Sequence, residues 1–168
     1  RLTTITNEDK SYTAVLYLGE TTDTLDPEGT MIDTQTVPNL KVDEIENILH
    51  SFLGASFQEP PMYSAKKVNG QRLYKMARKN IEVKRDLINI HVKDIQLLGY
   101  NNPSIQFSVT CSKGTYIRVL GKDIAVKLGT VGYLTSLVRT QVGGYSIDDS
   151  QSIDEFEITW KSLETLEK

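Results

Sequence analysis

The sequence has one cysteine, Cys111, and two histidines, His50 and His91. A single thiol cannot form an internal disulfide, and so few soft ligands give no zinc cluster. No apolar run approaches the roughly 18 residues that a membrane-spanning helix needs. No charged-then-apolar leader opens the sequence, so nothing in it suggests secretion. Internal repeats and low-complexity stretches are also missing. What remains is a metal-free domain expected in the cytoplasm. Its 168 residues, 39% hydrophobic and 24% charged, suffice for one domain with a buried core. The first residue is Arg1 rather than Met, so the chain is expected to start inside a longer protein.

The net charge of −3 argues on its own against a strong polyanion binder. The distribution says otherwise. Between Pro60 and Asp86 lie eight basic residues against only Glu82 and Asp86, so this window carries +6 and the rest of the chain −9. Tyr63 and Tyr74 are interleaved with the cations. Such a stretch fits RNA, with phosphates held by Lys and Arg and bases stacked on rings. It equally fits a solvated helix face with snorkelling lysines. Composition leaves both open.

Residues 11–19, SYTAVLYLG, are β-branched and aromatic and end in Gly, which predicts a strand. Residues 22–30 carry turn chemistry, and MIDTQTV predicts a short strand after them. Val42, Ile45, Ile48, Leu49, Phe52 and Leu53 have helical spacing, with Asp43 and Glu44 in the first turn and Gly54 past the end. Residues 59–70 read as extended with a turn at Asn69-Gly70, and QRLYKMARKN as a short helix. Ile88, Ile90, Val92 and Ile95 alternate on one side up to a bulge, and Ile105, Phe107, Val109 and Cys111 share a face. Those two strands form an antiparallel hairpin. Ile117, Leu120, Ile124 and Leu128 stripe a helix that stops at Gly129; residues 133–142 read as a strand, and those from Ser152 on as a short acidic helix. The expected fold class is α+β, a mixed, largely antiparallel sheet with flanking helices.

CSKGTYIR (residues 111–118) supplies a more specific signal. Together with DKSYTAVLYLGETTDTLDPEG, PPMYSAKKVNGQRLYKMAR and SLVRTQVGGY, it resembles the bacterial tRNA pseudouridine-55 synthase family (TruB type). The four segments follow the family's order and spacing from Asp9 to Tyr145. The resemblance implies the pseudouridine synthase fold and isomerisation of one uridine in the tRNA T-loop, without cofactor or metal. Such an enzyme must flip the base, because the reacting bond is inaccessible within the stack. Its partner would be the T-arm stem-loop, and the enzyme a monomer. By the same resemblance Tyr12 stacks on the flipped uracil, Arg118 pairs with the catalytic aspartate, Tyr116 is a second pocket tyrosine, and Leu137 lies beneath the base. Residues 60–86 correspond to an insertion that closes over the T-loop, with Lys66, Lys67, Arg72, Lys75 and Arg78 toward RNA; Lys113 joins that set. Residues 1–150 would then be a partial catalytic domain and 151–168 a helical segment.

Without the family, Tyr12 reads as a half-buried sheet aromatic, Arg118 as a surface cation and Leu137 as core. The guide-RNA-dependent archaeal and eukaryotic relatives share G-T-Y-I-R but lack the insertion, which favours the stand-alone bacterial type. The family's catalytic aspartate lies in a G-x-x-G-T-L-D-P segment ahead of the stacking tyrosine, and is expected upstream of residue 1. Thr24-Leu25-Asp26-Pro27 mimics it but follows Tyr12 and fits the family's T-D-T-x-D-x-x-G turn, so its expected role is structural. An unpaired buried cation costs several kcal/mol, so Arg118 should be exposed or meet a substitute acid. The alternative is an RNA-binding module without catalysis.

Overall fold

A computed structural model describes residues 2–68, 70–79, 81–157 and 160. The first half runs α1 (Leu2–Asn7), β1 (Lys10–Leu18), β2 (Glu20–Thr22), β3 (Met31–Thr34), α2 (Val42–His50) and β4 (Gly54–Gln58). After it come β5 (Lys67–Val68), β6 (Gln71–Arg72), α3 (Leu73–Ala77), β7 (Ile88–Asn101), β8 (Ser104–Cys111), α4 (Ile117–Lys127), β9 (Gly132–Val142) and β10 (Tyr145–Ser146). Six strands form the main sheet in the order β10-β9-β1-β8-β7-β4. Every pairing described in it is antiparallel, where the sequence allowed a mixed sheet. The α+β class stands.

Period-two alternation decides which face is buried. Ala14, Leu16 and Leu18 of β1, and Ile105, Phe107, Val109 and Cys111 of β8, are at most 1% exposed. On β7 the register shifts between Val92 and Asp94, which turns Ile95 to the side of Ile90 and Val92. Helices α2 and α4 cover this face through Ile45, Leu49, Ile117, Leu120 and Ile124. The Glu44 carboxylate accepts from the Lys41 backbone N–H and so opens α2.

Three elements differ from the sequence reading. α2 stops at His50, because Phe52 and Leu53 donate to carbonyls three residues back and tighten the end. Strand β4 follows at once, recruited by pairing with β7 rather than by its own pattern, GASFQ. α3 is confined to Leu73–Ala77, since Gln71 and Arg72 pair with Val68 and Lys67 in a small hairpin. Asn69 and Asn80 lie outside the described residues, as do 158, 159 and 161–168 of the C-terminal segment; residues 153–157 are helical. Among the described residues no helix is long and apolar enough to cross a membrane.

Close helix-on-sheet approach depends on Gly132. A Cβ there would lie 2.8 Å from Ala125 Cβ, 2.9 Å from Leu16 Cδ1 and 2.9 Å from the Tyr17 carbonyl oxygen. The carbonyl belongs to the β1 ladder and has little room to give. Gly132→Ala should therefore cost about 1–3 kcal/mol as overpacking. Urea unfolding should show a lower midpoint at unchanged slope. An unchanged midpoint would mean that α4 can lift without penalty.

Candidate active site and nucleic-acid interface

Tyr12, Ala14 and Leu16 share one face of β1, so Tyr12 points to the helix-bearing side and packs against the core. On β9, Leu137 is opposite Ala14 and Arg139 opposite Tyr12, and directly paired residues share a face. Leu137 is 43% exposed, so an apolar side chain is open beside Tyr12. The Arg139 guanidinium carbon stands 5.6 Å from the centre of the Tyr12 ring.

Helix α4 brings in the next two residues. Tyr116 is its N-cap, and buried Gln58 of β4 holds both its backbone groups: Oε1 accepts from the Tyr116 N–H at 2.8 Å, and Nε2 donates to its carbonyl at 3.1 Å. Arg118 follows two residues along, in the first turn of the helix. Its Nη1 donates to Asp26 Oδ2 at 2.5 Å and to the Thr24 carbonyl at 2.8 Å, and its Nη2 donates to the Tyr63 carbonyl at 2.8 Å. Both side chains of the ion pair are about three-quarters buried, at 24% and 25% exposure. The acid that meets Arg118 is thus Asp26, from the turn read as structural.

That turn is built to present the carboxylate. Leu25 has φ +62°, a left-handed conformation that costs a non-glycine residue about 1–3 kcal/mol. Its carbonyl accepts from the Leu134 N–H, which ties the turn to β9. Asp26 Oδ1 accepts from Thr24 Oγ1 at 2.6 Å and from the Glu28 N–H at 3.2 Å. With Arg118, three donors hold the carboxylate. They fix its position and orientation in the turn.

Arg118 and Asp26 line a cleft of about 360 Å³ with Asp23, Tyr63 and Arg78. The Tyr63 hydroxyl donates to Asp23 Oδ2 at 3.2 Å, and this bond to a carboxylate raises the Tyr63 pKa. A larger cleft of about 890 Å³ is lined by Lys67, Arg72, Lys75, Arg78 and Lys79, with Tyr74. Lys67 and Arg72 are neighbours across the β5–β6 hairpin, and α3 supplies or adjoins the others. Arg78 stacks over Tyr74 at 5.6 Å and lines both clefts. Lys66 and Lys113 stand apart, donating to the Asp86 carbonyl and to Asn7 Oδ1. Burial pushes the Cys111 thiol up, which removes it as a nucleophile. Among the described residues no group of acids, His or Cys could hold a metal ion.

Sequence reasoning missed Asp26 as the partner of Arg118, Gln58 behind Tyr116, and Arg139 over Tyr12. For Arg139 a signal existed: it lies two residues beyond Leu137 on a strand and so shares its face.

The family model for the N-terminal domain of the TruB family pseudouridylate synthases matches residues 1–117. The chain belongs to this family. Among TruB-family relatives, the tRNA pseudouridine synthase B of Hydrogenovibrio crunogenus is 44% identical over 90% of this chain and 50% of its own length. That of Clostridium kluyveri is 47% identical over 86% of the chain and 50% of its own length. That of Psychrobacter arcticus is 46% identical over 94% and 40%. The chain thus spans about half the length of the curated relatives it matches. The fold is also that of the Cbf5-Nop10-Gar1 complex structure, with TM-score 0.65 at 23% identity over 92% of this chain and 38% of that one. A substrate-bound H/ACA RNP gives TM-score 0.62 at 18% identity, covering 96% and 38%.

Proposed function

We propose that the whole protein carrying this chain converts uridine 55 in the T-loop of tRNA to pseudouridine, in the cytoplasm and as a monomer. Three features of the structure support the reading, the clamped arginine above all. These are an aromatic ring and an open leucine, Tyr12 and Leu137; an arginine clamped by three segments, Arg118; and a basic cleft joined to that arginine through Arg78. Residues 60–86 bind the T-arm.

The flipped uracil stacks on Tyr12 with Leu137 beneath it, and Tyr116 completes the pocket. The N1–C1′ bond of the uridine breaks and a C5–C1′ bond forms, while C5 loses its proton and N1 gains one. The reaction is an isomerisation and consumes no oxidant. A carboxylate must act on the base or sugar, and it is the aspartate expected upstream of residue 1. A guanidinium has five N–H donors, and the bonds of Arg118 to Asp26, Thr24 and Tyr63 use three. Two are left for a second carboxylate, which they would keep ionised. Asp26 acts as the fixed anchor of that arginine. Residues 1–168 alone bind RNA without turning it over.

Binding is tested by the cleft. Replacing Lys67, Arg72 and Arg78 together by alanine should weaken T-arm RNA and lower its salt slope by about 2, since each phosphate contact contributes about 0.7–0.9. Replacing Lys41, Lys122 and Lys127 should do much less. Equal losses from the two triple variants would reduce the window to a charged surface.

A further inference from the structure

Arg139 lies over Tyr12 but has no role in the reaction proposed above. It is an exposed residue of β9, directly opposite Tyr12 across the β1–β9 ladder. The ion pairs among the described residues involve Arg85, Lys93, Arg118 and Lys122, so no carboxylate holds Arg139 there. What holds it is the ring of Tyr12, 5.6 Å from the guanidinium carbon. Tyr12 is partly buried against the core, and the arginine lies over its ring.

A guanidinium is flat, delocalised and weakly hydrated, which lets it lie on an aromatic face much as a base does. It therefore occupies the place that a planar ligand of Tyr12 would need. An exposed cation–π contact is weak, and stacking of a base on an aromatic ring is generally stronger, so the base displaces the arginine. A base never arrives alone: its sugar and flanking phosphates come with it. The displaced guanidinium, with no acid to retain it, is then an unpaired cation at the rim of the same ring. Its forked donors fit a phosphate.

We propose that Arg139 is a substrate-positioning residue. It caps Tyr12 in the free protein, and on base flipping it exchanges the ring for a phosphate next to the flipped nucleotide. This rests on the reading of Tyr12 as the stacking platform. The ligand class is a nucleotide with an unstacked base and an adjacent backbone phosphate.

The test uses T-arm stem-loop RNA, binding in a salt series, and turnover by the whole protein for wild type, Arg139→Ala and Arg139→Lys. Arg139→Ala should weaken binding about tenfold and lower the salt slope by about 0.7–0.9, one phosphate contact. The rise in KM should exceed the fall in kcat. Arg139→Lys keeps the charge but not the fork, and should recover the slope with only part of the affinity. A merely structural role for this exposed side chain would leave the slope unchanged. Tighter binding by Arg139→Ala would make the residue a plug without a phosphate role and overturn the proposal. So would unaltered affinity and slope. If wild type itself fails to bind the stem-loop, the proposed function fails and this inference with it; if wild type binds and Arg139→Ala matches it, this inference alone fails.

Discussion

Replacing Arg118 by alanine should lower pseudouridine formation by the whole protein about a hundredfold or more, the scale of a misplaced catalytic group. The side chain joins α4, the 24–26 turn and Tyr63 through three hydrogen bonds, so its loss acts twice. Asp26 is left as a largely buried carboxylate with only Thr24 Oγ1 and the Glu28 N–H as donors. On the proposed function, the catalytic aspartate would also lose the cation that keeps it ionised, and its pKa would rise. Arg118→Lys should recover little, because one ammonium cannot reach the Thr24 and Tyr63 carbonyls and the Asp26 carboxylate with a planar fork. The measurement is a single-turnover rate at saturating RNA, which separates chemistry from binding. Wild-type turnover by Arg118→Ala would make the ion pair a packing feature only.

Tyr12→Ala should lose rate through the missing platform. Base-on-ring stacking is worth about 1–3 kcal/mol, or roughly 5–150-fold at about 1.4 kcal/mol per decade. Tyr12→Phe keeps the ring and should retain most of the activity, since no hydrogen bond of the Tyr12 hydroxyl enters the reading. Equal losses from the two variants would point to the hydroxyl instead. The alanine variant should also free Arg139, whose one contact of note is the Tyr12 ring.

Local pattern was the most legible part of the molecule. Ile105, Phe107, Val109 and Cys111 were read onto one face and all are buried, because alternation over one strand needs no knowledge of its neighbours. The stripe Ile117, Leu120, Ile124 and Leu128 on α4 was equally readable. Strand β4 was not. GASFQ has no alternating apolar face, only Gln58 at its end is buried, and the strand exists because the edge of β7 accepts it. The candidate site divides the same way. Tyr12, Tyr116, Arg118 and Leu137 were found by motif, which carries identity but not partnership. The Arg118–Asp26 pair joins residues 92 apart, and topology alone brings them within reach. Asp26 lies in a turn whose Asp, Pro and Gly already had a local explanation, and that explanation concealed the second role. Arg72, Lys75 and Arg78 were counted as charge, but only the β5–β6 hairpin and α3 fold them into one cleft.

The most direct test of the account is tritium release from a T-loop stem-loop RNA labelled at C5 of its uridine. The whole protein should release tritium without added metal or nucleotide. Residues 1–168 alone should release none, since the carboxylate that meets Arg118 among the described residues, Asp26, is already held by three donors. Robust release by residues 1–168, abolished by Asp26→Asn, would place the nucleophile in the turn after Tyr12 and contradict the account.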